Sequence, residues 1–299
     1  MADTMATNHP SFVLQSPDTP VSEIALRVLV EFSGGDTYVI GTAVLVSGHL
    51  AVTAGHVIED ILERFGGGKQ YDDGNEITDY AIRLYQILPG PEYNVWQVFT
   101  CWKSQETDLA LLHLGIFKRS HLDKPINWRT PRVHFTHPKL NSTIIAFGYH
   151  SSKVSITQNE DGGYHLELND KPTVSTGVVE EILPRGQPSG RFTFPCYRVA
   201  ARFDGGMSGG PVFDEGGVLR GIISGTLSAG SLEDTPISYV AMLWPLLRQL
   251  ISINRGDGFP RDVEYPLIHL VRDKLIHSVP TCFDGIDPAL IAAWMTGSP

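Results

Sequence analysis

Three short segments carry residue types that could do covalent chemistry. They are Ala51-Val-Thr-Ala-Gly-His56, Thr107-Asp108-Leu-Ala-Leu-Leu, and Gly205-Gly-Met-Ser208-Gly-Gly-Pro-Val-Phe213. A serine hydroxyl is a weak nucleophile and needs a neighbouring base. A histidine takes its proton and later returns it to a leaving amine, and a carboxylate fixes the histidine tautomer and stabilises the imidazolium. Backbone N–H groups must also face the oxyanion as it develops. The glycines around Ser208 let the chain turn tightly enough to supply them, and the N–H groups of Gly206 and Ser208 are the natural donors. The set His56, Asp108 and Ser208 therefore points to acyl transfer.

The elements that must position these residues read as β structure. From Val21 onward, short runs rich in Val, Ile, Thr and aromatics alternate with Gly, Pro, Asn and Asp. Strands are expected at 25–32, 38–46, 50–53, 81–88, 96–102, 109–114, 143–148, 173–182, 197–201, 211–213, 218–226 and 238–242. About a dozen short strands with few helices predict barrels or sandwiches. Helices are expected at 57–65, 242–253 and 264–276. Residues 1–20 read as a flexible tail, 66–79 as a loop, and 118–139, with Pro125, Pro131 and Pro138, as a linker between two β units.

The chain resembles the chymotrypsin-like (trypsin-fold) serine peptidases. Thr53-Ala-Gly-His56 resembles that family's histidine block, Asp108-Leu-Ala-Leu-Leu its aspartate block, and Gly206-x-Ser208-Gly-Gly-Pro its serine block, in the same order along the chain. The resemblance spans about 25–250. It implies an all-β fold of two antiparallel six-stranded β-barrels, with a few short helices and a C-terminal helical extension. The domain would cover 21–250, with barrel 1 at about 21–117, a linker at 118–140 and barrel 2 at 141–243, followed by an extension over 251–299. It implies a serine endopeptidase in which His56 is general base, Asp108 its orienter and Ser208 the nucleophile.

Further roles follow only from the resemblance. Ser224 lies where the family places a serine that hydrogen-bonds the triad aspartate. The backbone of Ser224, Gly225 and Thr226 would pair with an extended substrate as an added strand. Arg202 falls where the family has the floor of the pocket for the residue before the scissile bond. There it would recognise an acidic side chain, unless it points outward or pairs with Asp204. Thr226 would narrow the pocket entrance. The residue before the serine is Met207, not the aspartate that receives a freed N-terminus in zymogen-activated members. That departure is nearer to HtrA-like and other intracellular bacterial members, although 251–299 is too short for a PDZ domain.

Composition narrows the setting. The net charge is −10, with 23 basic and 33 acidic residues, which disfavours nucleic-acid partners. The three cysteines, Cys101, Cys196 and Cys282, are odd in number and lack CxxC spacing; they read as buried small residues in a reducing, cytoplasmic compartment. No secretory leader and no membrane span is read, and neither cofactor nor metal is expected. The expected partners are a protein or peptide substrate and a dedicated protein partner or activator. The rival reading is a partner-activated or catalytically silent protease-fold binding module. His134-x-x-His137 lacks a third metal ligand, Gly66-Gly-Gly-Lys69 lacks phosphate-loop spacing, and the tryptophans read as core. Gly206-x-Ser208-x-Gly210 also fits the nucleophile elbow of α/β-hydrolases, but the β pattern and the chain order oppose it.

Overall fold

The computed structural model describes residues 11–16, 19–32, 35–66, 69–71, 74–76, 80–90, 92–120, 129–158, 164–227, 236–252 and 264–296. Six strands close a first barrel: β1 (Ala25–Phe32), β2 (Thr37–Ser47), β3 (Leu50–Thr53), β4 (Tyr80–Ile87), β5 (Tyr93–Lys103) and β6 (Ala110–Arg119). Its ring order is β1-β2-β3-β6-β5-β4. Six more form a second ring: β7 (Thr143–Gln158), β8 (Tyr164–Leu183), β9 (Cys196–Ala200), β10 (Pro211–Asp214), β11 (Val218–Leu227) and β12 (Ile237–Met242). That ring runs β7-β8-β9-β12-β11-β10 and closes through the β7–β10 pairing. The two rings thus share one topology, and the fold is the expected all-β double barrel.

Each barrel keeps its own apolar interior. Leu26, Val28, Ala43, Leu45, Ala51, Leu84, Trp96 and Leu112 fill the first, and Ile144, Val179, Tyr197, Val199, Val212 and Val240 the second. β1 is buried on both faces from Ala25 to Val30, which explains why its sequence is apolar with so little alternation. One face lines its own barrel. The other meets the second barrel, where Arg27 forms a buried ion pair with Asp170 and lies 3.8 Å above the Tyr149 ring. The Tyr149 hydroxyl donates to the Ala25 carbonyl at 3.0 Å.

Several segments differ from the sequence reading. Ser11–Leu14 is not a loose tail: it adds an antiparallel strand to Thr173–Thr176. β7 and β8 run far past the expected 143–148 and 173–182 into a two-stranded ribbon, Lys153–Gln158 against Tyr164–Asn169, whose alternation of apolar and polar residues was not read as strand. The expected helix at 242–253 is a single 3-10 turn, Trp244–Arg248, followed by Leu250–Ile251 pairing with Tyr265–Pro266. Of the helix expected at 264–276, only α2 (Ile268–Arg272) forms, because Pro266 sits in a bridge and Lys274 takes a positive φ of 59°. The helix expected at 57–65 is present as α1 (Gly55–Phe65). The expected C-terminal helical extension includes α3 (Pro288–Thr296), for which the sequence reading gave no bounds. The extension is packed into the fold: Trp294 stacks on Trp244, and the Phe135 N–H donates to the Cys282 carbonyl. The loop read at 66–79 and the linker at 118–139 fall partly outside the described residues; Arg132–Val133 of the linker pairs in parallel with Val218–Leu219.

The three cysteines are free and buried, as the sequence indicates. Burial pushes the Cys101 and Cys196 thiols up to about 12 and raises that of Cys282 as well. At pH 8 the folded protein therefore holds almost no thiolate. A colourimetric disulfide reagent is expected to leave all three untouched until denaturant is added and then to titrate three thiols; rapid reaction of the folded protein would contradict this burial.

Candidate active site

His56 and Ser208 lie in equivalent connections of the two barrels, each between a third and a fourth strand. His56 follows β3 and Ser208 precedes β10, while Asp108 sits in the turn between β5 and β6. The shared topology thus delivers His56 and Ser208 from corresponding loops.

His56 stands in the first turn of α1, whose N-cap, Ala54, offers no side-chain cap. Asp108 supplies that function from elsewhere in the chain. Its Oδ1 accepts the His56 backbone N–H at 2.8 Å, and its Oδ2 accepts from His56 Nδ1 at 2.8 Å. The carboxylate thus satisfies an orphan donor at a helix N-terminus and orients the imidazole together. Ser224 Oγ, on β11, donates a short hydrogen bond to the same Oδ2. Asp108 is 11% exposed and accepts from three donors; His56 is 24% exposed at the mouth of the cleft.

Ser208 sits in a tight turn pinned to the first barrel by Thr42, a residue the sequence reading missed. The Thr42 N–H donates to the Ser208 carbonyl at 2.9 Å. Its hydroxyl donates to the Gly206 carbonyl at 2.9 Å and accepts from the Tyr149 N–H at 3.2 Å. Its own carbonyl accepts from Thr53 Oγ1 at 2.7 Å. The available signal was a polar side chain inside the apolar run Tyr38–Val46; it is fully buried. Two glycines are sterically required here. Gly206 has φ of 94°, and Gly209 has φ of 86° with its would-be Cβ 1.9 Å from the Thr42 carbonyl oxygen.

Within the turn, the N–H groups of Met207, Gly209 and Gly210 donate to Asp204, Ile223 and Met207 carbonyls. Those of Gly206 and Ser208 donate to no group among the described residues. They are the two donors the sequence nominates for an oxyanion. Met207 is fully buried in the second core, and its Sδ accepts the Asp204 N–H at 3.4 Å. No hydrogen bond links Ser208 to His56 among the described residues; such contacts commonly tighten only around a substrate.

The substrate residues fare unevenly. β10 pairs with β11 only as far as Ile222, so on that side the backbone of Ser224, Gly225 and Thr226 lies beyond the pairing. The Thr226 hydroxyl is turned inward, donating to the Phe203 carbonyl at 2.9 Å and bonding Ser238. Arg202 takes the second of its two sequence alternatives. It forks onto Asp204 at 2.8 and 2.9 Å, stands 4.5 Å over the Phe12 ring and is 56% exposed. Its guanidinium is already occupied by a carboxylate, so it is not a pocket floor for acidic side chains. A cleft of about 420 Å³ opens beside His56, Asp108 and Ser224, walled by 103–107 on one side and 191–194 on the other. No metal-binding cluster of His, Cys, Asp and Glu occurs among the described residues.

No curated protein matches the chain. Among solved structures, the Rv3671c protease from M. tuberculosis in its active form is 15% identical, over 81% of this chain and 85% of that one, with a TM-score of 0.44. Deg5 is 16% identical over 76% and 87%, with a TM-score of 0.45. The MamO protease domain from Magnetospirillum magneticum, in its apo form, is 14% identical over 74% and 93%, with a TM-score of 0.44. The model of the trypsin-like peptidase domain matches residues 41–222, more than half of the chain and a span holding Thr42, His56, Asp108 and Ser208. This chain belongs to the trypsin-like peptidase family.

Proposed function

We propose that this protein is a serine endopeptidase that cleaves peptide bonds through an acyl-enzyme on Ser208. The observation that carries the reading is the Asp108 carboxylate, which accepts from the His56 backbone, from His56 Nδ1 and from Ser224 together. That arrangement keeps the proton on Nδ1 and leaves Nε2 with a lone pair for the Ser208 proton. Ser208 Oγ then attacks the scissile carbonyl, whose oxygen gains charge against the Gly206 and Ser208 N–H groups. His56 hands the proton to the leaving amine, and water repeats the sequence on the ester. The free edge at Ser224–Thr226 supports substrate binding as an added strand. The free, buried cysteines support a cytoplasmic setting. Cleavage of a dedicated protein partner is the narrower form of this reading, and the charge arrangement of the cleft bears on it.

A partner-activated module is the second reading. The missing Ser208–His56 hydrogen bond favours it; the two unengaged N–H groups and the Thr42 clamp on the turn oppose it. A fluorophosphonate probe separates the two. The folded chain alone is expected to be labelled at Ser208, mapped by mass spectrometry, and the heat-denatured chain not. A folded protein that stays unlabelled would replace the first reading with the second.

A further inference from the structure

We infer that the cleft beside His56 contains a subsite for an acidic side chain of the substrate, with Arg191 as its cationic partner. The inference rests on the peptidase reading and assigns a substrate chemistry to it.

Five charged side chains border the cleft: Glu59, Lys103, Glu106, Asp108 and Arg191. Four are already engaged. Lys103 pairs closely with Glu59, Glu106 with Arg248, and Asp108 is committed to His56 and Ser224. Arg191 has no carboxylate partner among the described residues, and it is exposed. Arg191 is therefore the one cation of the cleft without a carboxylate partner among the described residues, and the remaining negative charge, on Asp108, is engaged by His56 and Ser224. The protein as a whole is strongly acidic, so its general field repels an acidic substrate; the attraction is local to this cleft.

Position and rigidity make Arg191 more than a solvated surface cation. Its guanidinium carbon lies 3.8 Å from where a Cβ on Gly225 would be, on the unpaired edge of β11. A Cβ there would only touch it at ordinary contact distance, with the Phe192 ring 3.5 Å away on the same side, so the guanidinium stands directly beside the substrate edge. The loop that presents it is braced. Phe192 is 1% exposed and stacks on Tyr239 with centroids 4.0 Å apart. The Phe192 carbonyl accepts the Gln187 N–H at 2.7 Å, and Gln187 Nε2 donates to the Tyr239 hydroxyl at 2.9 Å. Gly186 turns the loop at φ of 73°, where any Cβ would lie 2.2 Å from the Thr193 carbonyl carbon. Little loop ordering is left for binding to bring about.

A guanidinium offers parallel N–H donors that match a carboxylate, more strongly between protein walls than in open water. A substrate lying along Ser224–Thr226 advances about 3.3 Å per residue and turns alternate side chains to the same face. The part lying there is the acyl side, which stays attached while the ester forms and is hydrolysed. Arg191 thus meets an Asp or Glu within about four residues of the scissile bond on that side.

The test uses quenched fluorescent peptides in which each of the four acyl-side positions carries Asp, Glu, Ala or Lys in turn. They are cleaved by the full chain, with fluorophosphonate labelling of Ser208 followed in parallel. At one position the acidic peptide is expected to exceed the Ala peptide in kcat/KM by about tenfold, with the gap narrowing as salt rises. Arg191→Glu is expected to reverse the preference toward Lys, and Arg191→Lys to retain only part of it, since an ammonium lacks the fork. The ratio of acidic to neutral peptides cancels any difference in total activity between variants, and Arg191→Gln replaces the charge reversal if that variant melts early. A labelled protein whose ratios are flat, or are unmoved by Arg191→Glu, overturns this inference and leaves the peptidase reading standing. Neither labelling nor cleavage overturns both.

Discussion

Replacing Ser208 by Ala is expected to lower kcat/KM for peptide cleavage by about 10⁵- to 10⁶-fold while changing the melting temperature by less than about 2 °C. The two halves of this expectation have separate physical origins. The hydroxyl makes no hydrogen bond to the described residues, so no buried partner is orphaned by its loss. What holds residue 208 is backbone: its carbonyl accepts the Thr42 N–H, and the neighbouring Gly209 and Gly210 N–H groups are bonded independently. Alanine can occupy that backbone without strain, because the positive φ angles fall on Gly206 and Gly209. The chemistry, by contrast, has no substitute nucleophile. A residual rate of about 10³-fold over the uncatalysed reaction is expected, because the backbone N–H groups at positions 206 and 208 survive the substitution and still face the oxyanion. Steady-state kinetics with a peptide, together with the initial burst given by an activated ester, checks the first half, and a thermal melt of the two proteins checks the second. A loss smaller than about a hundredfold would remove Ser208 from the nucleophile's role.

The same residues show why part of the molecule was readable from sequence and part was not. His56, Asp108 and Ser208 each sit in a short local pattern whose glycines and apolar neighbours are set by the turn they make. The apolar cores of all twelve barrel strands could likewise be placed, as short β-prone runs bounded by turn residues, because burial acts residue by residue along each strand. Contacts made across the chain left no such trace. Thr42 reads as one polar residue in an apolar strand, yet it ties the nucleophile turn to the other barrel through bonds to 206, 208 and 149. Arg202 is the local counter-example: its alternative to the pocket floor, pairing with Asp204 two residues away, could be named from the sequence, and it is the one that forms. The common ring order of the barrels is invisible as a sequence repeat, since it is fixed by which strands pair and each pairing accepts many apolar sequences. The Ser11–Leu14 strand is four residues long and mostly exposed, so it carries no usable period, whereas the β7–β8 ribbon does alternate, with Val154 and Ile156 in register with Leu168 and Leu166, and that period of two was present in the sequence but not read.

Asp108→Asn is expected to lower kcat by about 10⁴-fold, with KM nearly unchanged. The argument is one of donors and acceptors. The carboxylate accepts from the His56 N–H at Oδ1, and from His56 Nδ1 and Ser224 at Oδ2. An amide keeps one acceptor oxygen and gains two N–H donors. If the NH₂ takes the Oδ1 place, it opposes the His56 backbone N–H, donor against donor, at the buried start of α1. The oxygen therefore stays there and the NH₂ faces the imidazole. Nδ1 must then accept, which moves the ring proton to Nε2, the atom that has to receive the Ser208 proton. The base is lost by tautomer while the fold and the substrate edge remain. Two readouts separate this from mere unfolding: imidazole ¹⁵N shifts should report the proton on Nε2 in the variant and on Nδ1 in the native protein, and the peptide KM should hold. Because His56 and Ser208 act as one unit, adding Asp108→Asn to Ser208→Ala is expected to cost almost nothing further. Losses that multiply would mean that Asp108 stabilises the site by some route other than His56.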